Sequence, residues 1–103
     1  MIKDILTAAG LPFRRSRFLQ PPAGTYVVYM DDVTTDGPDG INRIFTHDIT
    51  LEVYEPHPDD AAEEAIQEAI DAQGLRWEKQ DRYWLQKEQR YQVIYTFSYI
   101  IKN

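Results

Sequence analysis

Few side chains in this sequence are suited to chemistry. Its two histidines, His47 and His57, stand ten residues apart, and neither has a carboxylate at a matching ligand spacing, a weak basis for a metal site. His47 keeps step with the apolar positions of an alternating segment, which predicts a packed or boundary histidine. His57 lies between Pro56 and Pro58 and suits a turn. There is no cysteine, which removes thiol nucleophiles, disulfides, iron–sulfur clusters and cysteine-ligated zinc together. Neither a GxSxG nucleophile elbow nor a glycine-rich phosphate loop appears. Four aspartates, Asp31, Asp32, Asp36 and Asp39, crowd the segment DDVTTDGPDG. Their oxygens suit Ca²⁺ or Mg²⁺, but the alternate spacing and closing glutamate of a calcium loop are missing. Aspartate also favours turns by bonding its own backbone, so a plain acidic turn is the expectation. Nothing around the paired carboxylates builds a sugar cleft. The sequence thus predicts no catalytic residue, no metal and no cofactor, and a protein that is not an enzyme.

What remains is surface chemistry. The net charge is −6, against a protein whose main work is gripping nucleic acid. The charge is uneven: residues 1–30 balance to +3, residues 31–64 to −10, and residues 65–103 to +1. Arg14, Arg15 and Arg17 and the acidic run from Asp31 to Asp39 are natural opposite halves of a contact between copies, and a solvated acidic face is the plainer reading. Aromatics make up 13% of the chain. Trp77, Tyr83 and Trp84 lie among charged residues, as core mass or as a partner-facing cluster. Basic neighbours of these aromatics are nearly cancelled by Glu78, Asp81 and Glu88, which argues against a nucleic-acid stacking platform.

The elements that position these residues fit one domain, residues 1–103, with room for one modest core. No apolar run approaches the roughly 20 residues that span a bilayer. Lys3 and Asp4 interrupt the start, which lacks the shape of a signal peptide. Ile2, Ile5, Leu6 and Ala9 have helical spacing and Gly10 stops them. Residues 11–24 read as an extended connector, with Phe13, Phe18 and Leu19 dipping into the core. Residues 25–30 read as a buried strand, 31–40 as a loop, and 42–55 as a long alternating strand, which makes a long-looped antiparallel hairpin. Pro58 to Gly74 reads as a helix with an apolar stripe of Ala62, Ala65, Ile66, Ala69 and Ile70, and with Glu63, Glu64, Gln67, Glu68 and Asp71 outward. Residues 76–80 and 83–87 predict short strands and 89–101 a long central one. The sum is an α+β fold: an antiparallel or mixed sheet of about four to five strands with two helices packed on it.

A short N-terminal helix, SRFLQPPAGTYVVYMDD, an acidic turn-rich segment, HDITLEVYEP, an acidic alanine-rich helix and a closing QRYQVIYTFSYIIK follow one another over residues 1–102. This order and wording resemble the tail-terminator or tail-completion proteins of long-tailed bacteriophages and prophages. The resemblance implies a structural protein that assembles into a ring, usually a hexamer, though a monomer in isolation is compatible with it. The ring caps the tail tube and joins it to the head, so the tail tube protein and the head-connector protein are its partners. DNA passes through the channel without specific binding, and no membrane is involved. The implied location is the host cytoplasm during assembly and then the virion tail. A ring needs a head-to-tail contact that closes. The acidic segment either supplies half of that contact or faces the channel. A reading from another class stays open: a small dimeric α+β ligand-binding or antitoxin-like module, which an apolar pocket with convergent polar groups would favour.

Overall fold

The computed structural model describes residues 1–37 and 44–102. Helix α1 spans Ile2–Ala9 and buries Ile2, Ile5 and Leu6. Gly10 ends it in the left-handed conformation (φ 78), its N–H reaching the Leu6 and Thr7 carbonyls. Three strands follow: β1 Phe13–Arg15, β2 Tyr26–Asp36 and β3 Ile44–Glu55. Helix α2 spans Asp60–Asp71, and β4 Glu78–Lys79, β5 Tyr83–Leu85 and β6 Arg90–Lys102 complete the chain. No helix among the described residues is long and apolar enough to cross a membrane.

The fold is α+β with a six-stranded mixed sheet, ordered β1-β2-β3-β6-β4, with β5 also on β6. β1 pairs parallel with β2, and the other pairings are antiparallel. The odd-numbered residues of β2, β3 and β6 face the helices. Val27, Tyr29, Ile49, Leu51, Val53, Val93, Tyr95, Phe97 and Tyr99 form one buried cluster with Ile2, Ile5 and Leu6 of α1 and Ile66, Ala69 and Ile70 of α2. Asp59 caps α2 by accepting from the Ala62 N–H at 3.1 Å, and the Thr25 hydroxyl donates to the same carboxylate at 2.6 Å.

On the opposite face the connector before β2 is pinned by Arg90. Its guanidinium donates to the Pro22, Ala23 and Gly24 carbonyls at 2.8–2.9 Å and lies over the Tyr26 ring. Phe18 packs edge-on against Tyr26, which stacks on Tyr54.

Several expectations are corrected. Part of the connector is strand β1, too short to carry a period of its own. The acidic residues 31–36 are not a loop but the second half of β2, because every one of them pairs with β3. The hairpin connection at 38–43 lies outside the described residues, as does Asp39. Leu19 is 83% exposed rather than in the core. Helix α2 gives way at Ala72, two residues before Gly74, whose positive φ lies in the turn beyond. Glu63 is buried, not outward.

The strands outrun the helices. The molecule is 50 Å long and 22 Å at its thinnest, and β2, β3 and β6 extend as an arm past α1. There Val33, Ile100 and Ile101 are exposed apolar residues.

Candidate assembly interface

The structure places the basic run and the acidic run in neighbouring lanes of one chain. Arg14 and Arg15 lie on β1, beside Val28 and Tyr29 of β2. Arg15 donates through Nη2 to the main-chain oxygen of Asp31 at 3.2 Å. Arg14 donates to the carbonyl of Phe13 and rests over the Phe18 ring. Arg17 follows an exposed turn at Ser16, whose φ of 67 swings the chain out of the sheet. Among the described residues, none of the three guanidinium groups pairs with the carboxylate of Asp31, Asp32 or Asp36.

The aspartates have different surroundings. His47 donates from Nδ1 to the Asp31 carboxylate at 2.9 and 3.0 Å, and its ring stacks on Tyr99 at 4.7 Å. His47 is thus the boundary residue its alternation predicted. Asp32 stands directly across from Asp48 on β3. Like charges so placed repel; the Ser98 hydroxyl donates to Asp48 at 2.6 Å. Asp36 accepts from the N–H of Gly37.

The aromatic trio separates. Trp77 is drawn to the core rim: it meets Tyr95 edge-on, and its indole N–H donates to Asp71 at 2.8 Å. Trp77 is thus half-buried, packed against the core on one side. Tyr83 (66% exposed) and Trp84 (39%) do face outward, with Trp84 edge-on to Tyr91. Open grooves lie on the surface of the described residues. One of about 560 Å³ is lined by Asp48, Thr50, Arg76, Trp77, Glu78 and Ser98, beside the β6 edge. Another, about 420 Å³, runs between the connector and Tyr54.

The sequence reading missed a buried ionic cluster. Glu55 and Glu63 are wholly or almost wholly buried. Lys79 Nζ lies 2.6 Å from Glu63 Oε1, and Arg82 Nη2 lies 2.7 Å from Glu63 Oε2 and 2.9 Å from Asp60. Arg82 Nε is 3.3 Å from Glu55 Oε1, in ion-pair range but not aligned for a hydrogen bond. Glu55 Oε1 accepts from the Asp59 N–H, while Oε2 has no fixed donor.

Burial, then the adjoining Glu63 carboxylate, pushes Glu55 up to about 7. Burial opposes the ionisation of Glu63 too, but hydrogen bonds from Glu55, Lys79 and Arg82 outweigh it and hold Glu63 at about 2. Of the two, Glu55 is the one that holds a proton below about pH 7, and Glu63 is the one that is ionised. The hydrogen bond to Glu63 raises Arg82 and Lys79 in turn. The cluster ties the β4–β5 segment to α2 as a structural latch.

Both glutamates were signalled by period. Glu55 continues the core-facing alternation of Ile49, Leu51 and Val53, and Glu63 shares a helical stripe with Ile66 and Ile70.

No protein-family model matches the chain, and no curated protein matches it. Among solved structures, the chain is similar to a chain described as "Virion of native gene transfer agent (GTA) particle". The identity is 18%, the match covers 96% of this chain and 84% of that one, and the TM-score is 0.63. The likeness is one of fold.

Proposed function

We propose that this protein is a structural component of a phage-like virion, assembling as a tail-end ring that completes the tail tube and joins it to the head connector. The observation that carries this reading is the fold shared, over nearly the whole chain, with a chain of a gene transfer agent virion. The family resemblance of the sequence agrees with it. In this reading the β1–β2 edge, with Arg14, Arg15 and Arg17 beside Asp31, Asp32 and Asp36, supplies one half of the ring contact. Tyr83 and Trp84 meet the tail tube or the connector. The protein holds no cofactor and catalyses nothing; DNA passes it without specific contacts.

The test is deletion of the gene from its locus, followed by complementation. Tails that fail to join heads, restored by the wild-type chain and carrying that chain in purified particles, are the expected result. Normal particles without the chain refute the reading. Turnover of nucleotides, nucleic acid or esters that disappears on mutating Asp36, His47 or His57 also refutes it. The alternative is a small dimeric ligand-binding or antitoxin-like module. It calls for an enclosed pocket, whereas the two recesses described above are open grooves.

A further inference from the structure

The sheet is open along both edges over the same rows. β1 fills the lane outside β2 only beside Val27–Tyr29, and β4 fills the lane outside β6 only as far as Thr96. From Asp31 on β2 and from Phe97 on β6, no strand among the described residues lies outside. Both stretches face the same segment of β3, Ile49 back to Ile44.

The polarity of the open groups follows from the bonds already made. The carbonyl of Ile94 accepts from Gln80, so the even-numbered residues of β6 aim their main-chain groups outward. Ser98, Ile100 and Lys102 therefore present free N–H and C=O groups, and Ile100 is 56% exposed. On β2 the Val27 N–H and the Tyr29 carbonyl serve β1, so the odd residues point outward. Arg15 already occupies the carbonyl of Asp31. An open edge recruits a strand.

Geometry selects among the pairings open to a second copy. A parallel β2–β6 contact fails, because β1 of one copy and β4 of the other would have to fit between the two edges at the adjoining rows. An antiparallel β2–β6 contact turns successive copies over, helices on alternate faces, and does not close. A β2–β2 contact sets Asp31, Asp32 and Asp36 against themselves. The β6–β6 contact closes by a two-fold axis, keeps both pairs of helices on one side, and carries β4 of each copy past Lys102 of the other.

With Ile100 on the axis, Ser98 of each copy faces Lys102 of the other. Lys102 of the second copy is then next to Ser98 and one strand beyond Asp48, which its long side chain reaches across the small serine; Asp48 opposes Asp32 with no cation among the described ion pairs. On the helix side, Tyr99 meets Ile101 of the second copy, covering an apolar residue now 38% exposed.

We propose that two copies of this chain join through antiparallel pairing of the Phe97–Lys102 edges of β6, forming one continuous sheet with Lys102 of each copy compensating Asp48 of the other. This contact is separate from the ring contact and does not rest on the virion reading.

Light scattering of the purified chain over rising concentration should reach twice the 12.1 kDa chain mass. Ile100→Cys should cross-link to itself, because hydrogen-bonded pairs place their Cα atoms about 5.5 Å apart, within disulfide reach. The chain has no other cysteine. Thr34→Cys, exposed on the same face at the far edge, is the control and should cross-link roughly tenfold more slowly, since no pairing raises its local concentration. Ile100→Pro removes only an outward N–H and should abolish the dimer while circular dichroism is retained. Lys102→Glu should weaken the dimer about tenfold by facing Asp48 with a like charge, and adding Asp48→Lys should restore it.

A chain that stays monomeric to millimolar concentration, equal cross-linking of the two cysteine variants, or a folded Ile100→Pro dimer would overturn the pairing. If Ile100→Pro unfolds, the cysteine comparison and the charge exchange decide. Particle assembly in the deletion strain reads the virion proposal separately, so the two fail independently.

Discussion

Replacing Glu55 with glutamine tests the buried latch directly. Glutamine keeps the shape of the side chain and fixes it in the neutral state that burial already favours. In the native protein Glu55 titrates at about 7, against 4.5 for an ordinary glutamate. Its proton is kept on folding and lost on unfolding between those values, so stability falls as pH rises from 4.5 to 7 and then levels. Glu63, held at about 2, acts the other way: its contribution is full above 4.5 and is lost as pH falls towards 2. Together they place a stability maximum near pH 4.5. At about 1.4 kcal/mol per pH unit, full burial of Glu55 makes the fall above it roughly 3 kcal/mol. Relaxation around the pair lowers this figure.

Urea unfolding at pH 4.5, 6 and 8 measures it. Wild type should lose about 2–3 kcal/mol over this range from this group, while Glu55→Gln stays flat and becomes the more stable protein at pH 8. An unchanged slope in the variant, or a variant weaker than wild type at pH 8, would show that Glu55 is ionised in the native state across this whole pH range and that Arg82 compensates it fully.

Other perturbations have clear outcomes. Leu51→Ala should cost about 2–5 kcal/mol in urea unfolding, because Leu51 is fully buried in the helix–sheet cluster; a loss under about 0.5 kcal/mol would place it on a surface. Arg82→Ala should cost about 3–5 kcal/mol, since it leaves the buried Glu63 charge short of a partner, and amide exchange in residues 78–85 should quicken first. Ser16→Gly should raise stability by up to about 1 kcal/mol, as glycine takes the positive φ without a Cβ clash; a loss would mean the Ser16 side chain has a role of its own. Reversing Arg14, Arg15 and Arg17 to glutamate should block particle completion and leave the circular dichroism spectrum intact, at a stability cost of about 1 kcal/mol from the Arg15 bond to Asp31. Normal completion would clear the β1–β2 edge of any part in assembly.

Where a segment carries a strong period, its structure is local. The alternation of Ile49, Leu51 and Val53, that of Val93, Tyr95 and Phe97, and the stripe of Ile66, Ala69 and Ile70 each define a face before any contact is made. The two helices, the long strands and the α+β class follow from them. The same periods extend to Glu55 and Glu63, but two carboxylates can enter a core only if cations reach them. Those cations, Lys79 and Arg82, come from a segment about 20 residues distant in sequence, so only the folded chain decides that both are buried. The aspartates at 31–36 are turn formers by their own chemistry; pairing with β3 along the whole hairpin overrides that preference and makes them strand. β1 is three residues long and exists because β2 offers it a lane. The charge asymmetry was present in the composition, yet a list of charges carries no directions. The tertiary structure sets Arg15 beside Asp31 within one chain, leaves Asp32 facing Asp48, and puts the open edge of β6 next to the strand that carries Asp48.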